Sequence, residues 1–271
     1  MRSMQDSTGS VPAPFSRVQA SRPKAHRLAA LRQAVARLER GLTGAAPVGL
    51  SLGLPAVDRH FPGAGLACGA LHEVVAATHG DRPAAFGFLA ALMVRALAAR
   101  PGSVLLIAAR RCFVDFGQPY GHGLCQLGLD AGRLVLIETR SDKDALWAMG
   151  EALRSKASMA MVAGALEHDP GLTMSRRLSL AAATSATPLL LLKPSLAAGA
   201  SAAATRWRVA AAPAARDRRR WSVALERCRN GRTGQWLFEW DHVAHRFRLA
   251  EVLADRAPVE GAGPKGFRLA G

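Results

Sequence analysis

The chain has 271 residues, of which 49% are hydrophobic and 6% aromatic, and its formal net charge at pH 7 is +16. This length suffices for one domain with a sizeable core. The charge favours contact with phosphate backbones or other polyanions, although a basic composition dominated by Arg is also typical of GC-rich genomes.

Neither a membrane segment nor a secretory signal is evident in the sequence. No unbroken apolar run reaches the ~20 residues that a membrane-spanning helix needs, and the first residues lack the apolar stretch of a signal peptide. The four cysteines are scattered without a CxxC pair, so neither a zinc site nor a disulfide framework is indicated. We therefore expect a soluble cytoplasmic protein with no membrane association and no bound metal.

The N-terminal part divides into two predicted segments. Residues 1–21 have the Ser, Pro and Gly content of a disordered arm. Residues 22–44 form a predicted amphipathic basic helix, because apolar residues recur three and four positions apart with Arg on the other faces. Such a helix binds a partner or DNA, or it docks on the protein's own core.

From residue 70 onward, apolar strands alternate with helices. Strands are predicted at 70–75, 103–109, 133–138, 158–164 and 188–192. Helices are predicted at 84–99, 118–128, 142–156 and 172–185. Continuous apolar strands are typical of a parallel sheet that is covered on both faces, and alternating βα units predict a three-layer α/β domain.

The pattern changes after residue 200. Four strands at 205–212, 221–228, 235–240 and 245–250 are separated by short turns, and the Asn230-Gly231 pair is a strong hairpin signal. The predicted fold class is α/β, with a mostly parallel central sheet, antiparallel C-terminal hairpins and an N-terminal helix. The core is predicted to span 45–256, followed by a flexible tail at 257–271.

Three segments of this core carry a family resemblance. Residues 54–74, LPAVDRHFPGAGLACGALHEV, and residues 225–241, LERCRNGRTGQWLFEWD, resemble the RecA-like recombinase and ATPase superfamily. There a Leu-Asp pair and a Gly-rich turn precede the first core strand, and a hairpin ends the domain. Residues 127–153 resemble the third strand of that superfamily and its following helix.

Within the superfamily, the segment PGAGLACGALHEV at 62–74 resembles the ImuA family of bacterial SOS-mutagenesis proteins, which has SulA-like relatives. This resemblance implies an accessory role in damage-induced translesion DNA synthesis. It implies as partners an ImuB-type homologue of Y-family polymerases, an error-prone replicative-type polymerase and a link to RecA. The SulA-like relatives imply an alternative role as an inhibitor of cell division.

The loop after the first core strand has the position of a phosphate-binding loop without its chemistry. Counted from Glu73, the conserved positions of a working P-loop are occupied by other residues: Ala76 for the early Gly, Asp81 for the late Gly, Arg82 for the Lys and Pro83 for the Ser or Thr. Phosphate binding uses N–H groups exposed by Gly, a Lys on the phosphate oxygens and a hydroxyl on Mg²⁺. Gly80 alone does not restore this set, so the loop is predicted to be degenerate.

Two further strand ends agree with this prediction. The second core strand ends in Ala109-Arg110-Arg111 where RecA-like enzymes carry a catalytic acid, and residues 161–165 lack the Asp that associates with Mg²⁺. We therefore predict no catalytic residues, no nucleotide cofactor and no ATP hydrolysis. The alternative is a DNA-stimulated ATPase in which Arg82 replaces the lysine.

The hairpin region contains a cluster of basic residues with three tryptophans beside them. The candidate polyanion or partner contacts are Arg206, Arg208, Arg218, Arg219, Arg220, Arg227, Arg229 and Arg232. Arg side chains suit phosphates, and exposed indoles of Trp207, Trp221 and Trp236 could stack on bases. The same residues fit an acidic protein partner, or a solvated face whose tryptophans lie in the core.

Overall fold

The computed structural model describes residues 49–155, 157–194, 199–215 and 218–251. The predicted arm at 1–21, the predicted helix at 22–44 and the predicted tail at 257–271 lie outside these residues. The domain boundaries given above therefore stay predictions.

The described residues form one large sheet and one small one. The small sheet pairs β1 (Gly49–Leu50) with β2 (Leu66–Ala67) in antiparallel fashion. The large sheet has nine strands in the order β11-β10-β9-β8-β3-β7-β6-β4-β5. These strands are β3 (Leu71–Ala76), β4 (Ser103–Ala109), β5 (Leu134–Thr139), β6 (Met159–Ala165), β7 (Leu189–Lys193), β8 (Thr205–Ala215), β9 (Arg218–Cys228), β10 (Gly234–Asp241) and β11 (Arg246–Glu251).

The large sheet is parallel over the strands from β8 to β5 and antiparallel from β8 to β11. Strands β3, β6 and β7 are buried almost throughout, as continuous apolar sequences predict. Strand β5 lies at the edge, where Val135 and Leu136 are about half exposed. The predicted parallel core with antiparallel hairpins is confirmed.

Helices cover both faces of the sheet. They are α1 (Pro55–Asp58), α2 (Arg82–Ala99), α3 (Gly121–Leu127), α4 (Asp142–Arg154) and α5 (Gly171–Ser185), and short 3-10 turns occupy His79–Asp81, Arg110–Phe113 and Ala131–Arg133. Helices α2 and α3 share one apolar core with the sheet, and α4 and α5 share the other. This three-layer arrangement is the RecA-like fold that the sequence predicted.

The core on the α2 face is built around Phe88. Its ring lies 5.8 Å from that of Trp207, 6.0 Å from that of Trp221 and 5.8 Å from that of Phe238, measured between centroids. Aromatic pairs at such distances add stability beyond the area that they bury. The antiparallel hairpins therefore belong to the same core as the parallel strands.

Helix α2 is unusually apolar. With the turn before it, the segment His79–Ala99 is long and apolar enough by composition to span a membrane, and 61% of its most apolar window is buried inside the protein. The segment is not an unbroken apolar run, because Asp81, Arg82 and Arg95 interrupt it. Its buried side chains pack into the Phe88 core, which is the position of a central helix in a three-layer domain.

The predicted helix at 118–128 is shorter in the structure, where α3 spans Gly121–Leu127. A proline disfavours helical geometry at the residue before it. Gln118, which precedes Pro119, therefore lies with it in the connecting segment. At the other end, Gly128 has a φ of 102° and terminates the helix in the left-handed region. Helix α4 begins at Asp142 as predicted, and the Ser141 side chain accepts the N–H of Asp144.

Asp58, which belongs to the Leu-Asp position of the resemblance, has a structural role. Its carboxylate accepts the Ser51 hydroxyl at 2.6 Å and the N–H groups of Leu52 and Leu54 at 2.9 and 3.2 Å. The side chain is 6% exposed. It thereby fixes the segment between β1 and α1.

Candidate functional site

The degenerate nucleotide loop connects β3 with α2. Ala76 is the last residue of β3, the 3-10 turn His79–Asp81 follows, and Arg82 begins α2. The order of strand, loop and helix that defines a phosphate-binding frame is therefore present. What the loop can bind depends on where its N–H groups and its charged side chains point.

Asp81 takes up donors of its own loop. Its Oδ2 accepts the Thr78 N–H at 3.0 Å and the Thr78 hydroxyl at 2.6 Å, and its Oδ1 accepts the N–H of Ala211 on β8 at 2.8 Å. Partial burial raises the pKa of Asp81, but these hydrogen bonds outweigh it and leave the pKa below its usual value. A carboxylate therefore takes up the N–H groups of Thr78 and Ala211 at the start of α2.

Arg82 points away from the turn. Its side chain is 9% exposed, and its Nη2 donates to the carbonyl of Leu166, just after β6, at 3.4 Å. Pro83 is exposed and lacks both an N–H and a hydroxyl. Gly80 is exposed, and a Cβ added there would meet only the Thr78 hydroxyl oxygen, at 3.9 Å.

Two arginines follow the end of β4, and both pair with nearby carboxylates. Arg110 lies 3.2 Å from Glu138, and Arg111 lies 3.7 Å from Glu167. After β6, the carboxylate of Asp142 accepts the N–H of Glu167 at 2.9 Å. The acidic groups near these strand ends are thus engaged in protein contacts.

A cavity of about 210 Å³ lies directly beside the loop. It is enclosed by the start of α2, the 3-10 turn after β4, the segment at 114–120 and α3. Its lining is mostly apolar and aromatic, and it includes Phe86, Phe113, Phe116, Tyr120, Leu124, Leu127 and Leu192 together with Arg82 and Arg219. Burial and the charge of Asp142 raise the pKa of the Cys112 thiol in this lining to about 12, so the thiol stays protonated at neutral pH.

A buried ionic cluster lies on the opposite face of the sheet, and the sequence reasoning missed it. Glu73 on β3 accepts hydrogen bonds from Lys193 at 3.0 Å, Ser201 at 2.6 Å and Arg206 at 2.9 Å. Lys193 also lies 2.9 Å from Asp169, and the side chains of Glu73 and Lys193 are fully buried. The only sequence signal was a charged residue within each of two apolar strands.

The cluster joins five separate parts of the chain: β3, the end of β7, the segment after β6, the segment before β8 and the start of β8. Partial burial raises the pKa of Asp169, but bonds from Gly171 and Lys193 outweigh it and lower the pKa overall. Buried charges persist only where they are paired and hydrogen-bonded. The cluster therefore fixes the edges of the segment between β7 and β8.

The predicted basic contacts are distributed over several environments. Arg206 bonds to buried Glu73, Arg208 pairs with Glu226, and both Arg218 and Arg220 pair with Glu239. Arg227 donates to the carbonyl of Ser201 at 2.7 Å, and Arg229 donates to that of Ala202 at 3.3 Å. Arg219 lines the cavity, and Arg232 is exposed.

Most of the candidate arginines therefore bond within the protein, and Arg219 and Arg232 are the exposed ones for which no bond is described above. The hydrogen bond from Arg220 lowers the pKa of Glu239 and keeps that carboxylate charged. The indoles of Trp207, Trp221 and Trp236 are at most 3% exposed. Of the alternatives left open above, the core position holds for all three, and base stacking on these indoles is excluded.

Within the described ranges, no three His, Cys, Asp or Glu side chains gather so that they could hold a metal ion.

Comparison with known proteins places the chain in a family. No protein-family model matches it. Protein ImuA, in each of two strains of Caulobacter vibrioides, is 37% identical over 243 residues, which cover 80% of this chain and 95% of that protein. The chain belongs to the ImuA family. The resemblance drawn from residues 62–74 is thereby confirmed.

Proposed function

We propose that this ImuA-family chain is a non-catalytic RecA-like adaptor in SOS-induced translesion DNA synthesis. The adaptor acts in the cytoplasm and recruits an ImuB-type polymerase homologue and an error-prone polymerase, with RecA as a further candidate partner. The single observation that carries the non-catalytic part is the Asp81 carboxylate, which occupies the N–H of Thr78 and the N–H of Ala211.

Electrostatics support this proposal. A triphosphate entering the turn would meet the charge of Asp81 and would have to displace its three hydrogen bonds. Two like charges ~4 Å apart near a protein surface repel by a few kcal/mol. The positive charge that a P-loop lysine would supply is turned toward Leu166, so nothing in the turn offsets this repulsion.

The retained core supports an adaptor rather than an unfolded remnant. The Phe88 cluster and the buried ionic cluster hold the domain together although the loop lacks the residues of a phosphate site. A well-packed domain presents a defined surface to partner proteins even when it has no catalytic residues. In this chain those surfaces include exposed apolar side chains at 114–120 and the arginines of β9.

The test is complementation of a deletion strain. The wild-type chain and the variant Thr78→Ala/Asp81→Ala are expected to restore damage-induced mutation equally, because no phosphate chemistry at the loop is needed. Purified chain is expected to bind the ImuB-type homologue from the same organism. Failure of both measurements contradicts the proposal.

Each of the two alternatives has its own readout, the first with purified chain and the second in the same strains. ATP turnover that rises with DNA would indicate a DNA-stimulated ATPase. Filamentation on expression, with no loss of damage-induced mutation on deletion, would indicate a cell-division inhibitor. Either result replaces the adaptor as the function of the chain.

A further inference from the structure

We propose that the cavity beside the degenerate loop binds the anchor residue of an acidic peptide segment: one large apolar side chain, with a neighbouring carboxylate on the arginines. This inference rests on the proposed recruitment of partner proteins and adds where such a partner docks. It follows from the size of the cavity, the burial and unused N–H donors of Arg82, and the side chains at the rim.

The size of the cavity favours a side chain over a cofactor. Ligand pockets of proteins usually measure ~300–1,000 Å³, and this cavity measures about 210 Å³. Its walls are formed largely by Phe, Leu and Pro side chains. Fully desolvated pockets that receive one aromatic or aliphatic residue are the usual centres of protein–protein interfaces.

The unused N–H donors of the buried Arg82 guanidinium favour a carboxylate next to that anchor. The residue lines the cavity and is nine-tenths buried, and among the described residues its guanidinium bonds only to the Leu166 carbonyl, at 3.4 Å, and to the Cys112 thiol. A guanidinium has five N–H donors, so most of its donor capacity is left for a ligand. Arg219 lines the same cavity from β9, and no Asp or Glu is among the lining residues in the described part of the chain.

The rim of the cavity has the composition of a binding surface. Tyr120 is 73% exposed and Phe116 is 36% exposed, and both line the cavity; Val114, which follows the lining residue Phe113, is 72% exposed. These large apolar residues fall within seven consecutive positions. His79 of the degenerate loop fixes this segment, because its ring packs on Phe116 at 5.1 Å and its Nε2 lies 3.2 Å from Asp115.

The experiment uses the full-length chain and a fluorescein-labelled peptide in which one Phe is flanked on each side by two Asp or Glu. Fluorescence anisotropy is measured at physiological ionic strength, where charges more than ~8 Å apart are screened. Saturable binding is expected. It should weaken by about tenfold when Ser replaces the Phe, since tenfold corresponds to the loss of one well-buried contact.

Two matched pairs of variants locate the site. Arg219→Glu is expected to weaken binding by about tenfold, whereas Arg232→Glu, with the same charge change on an exposed Arg outside the cavity, should leave it unchanged. Gly123→Leu fills the cavity, because a Cβ there meets only Tyr120 at 3.7 Å. Gly121→Leu adds the same side chain to the same helix outside the lining and is the control.

Several outcomes would overturn the inference. They are absence of saturable binding, equal losses in Arg219→Glu and Arg232→Glu, or full binding by Gly123→Leu. Competition by ATP at micromolar concentration would assign the cavity to a nucleotide instead. If the peptide fails while the chain still binds the ImuB-type homologue and restores mutation, only the cavity inference is wrong and the adaptor stands.

Discussion

The buried pair of Glu73 and Lys193 provides the most quantitative prediction. In Glu73→Leu, the Lys193 ammonium keeps only Asp169 as a charged partner, and Arg206 and Ser201 lose their acceptor. Breaking a buried pair from one side costs ~3–5 kcal/mol, because a charge stays buried without compensation. We therefore expect Glu73→Leu to lower the free energy of unfolding by about 4 kcal/mol.

Removing the other partner of the pair is expected to lower the free energy of unfolding by less. In Lys193→Met, Glu73 keeps its bonds from Ser201 and Arg206, and Asp169 keeps the N–H of Gly171. A cost of ~1–3 kcal/mol is expected. The double variant removes both fully buried charges, so its cost should fall below the sum of the two single costs by at least ~1 kcal/mol.

Urea unfolding followed by tryptophan fluorescence measures these three free energies, since four of the indoles are buried. Arg208→Met is the control: its pair with Glu226 is about one-third exposed on both sides, and its loss should cost under ~1 kcal/mol. A cost of Glu73→Leu below ~1 kcal/mol, or additivity within ~0.5 kcal/mol, would refute the reasoning.

The remaining predictions concern pH, packing and a cap. Burial lowers the pKa of His72 from 6.5 to about 4, so the folded state binds fewer protons than the unfolded state between these pH values. Stability should fall by about 3 kcal/mol from pH 6.5 to pH 4, and His72→Gln should show a shallower fall in urea titrations at each pH. Gly164→Val should lower stability by ~1–3 kcal/mol through overpacking, because even a Cβ there would lie 2.4 Å from Met149; an unchanged melting temperature would contradict this. Gly128→Ala should also be destabilising, because its φ of 102° is left-handed, whereas Gly121→Ala should not.

From residue 70 onward the sequence predicted the order and type of the secondary-structure elements, because apolar periodicity is a local property. The short elements β1, α1 and β2 were not predicted, because they are too short to show a period. Strand β4 matches its predicted bounds, and six other predicted strands differ by one residue at each end. Strands β8 and β9 extend further into their shared hairpin, where Ala215 pairs with Arg218. The helix predicted at 118–128 was too long, because helical periodicity does not register the restriction that Pro119 places on its neighbour.

The site was predicted less completely, because its chemistry depends on contacts between distant residues. The loop positions were found by counting from Glu73, but the bond from Ala211 to Asp81 joins positions 130 residues apart. Glu73 and Lys193 are likewise 120 residues apart, and only the parallel register of β3 and β7 brings them together. The interior position of Trp207 depends on Phe88 across the core, which no local pattern reveals.

The central claim is that the nucleotide loop is closed by its own aspartate. Calorimetric titration of the full-length chain with ATP and Mg²⁺, repeated with single-stranded DNA present, tests it most directly. We expect no saturable heat up to about 1 mM ATP, which corresponds to a binding free energy weaker than about −4 kcal/mol, and no release of phosphate. Micromolar binding, or phosphate release that rises with DNA, would contradict the account.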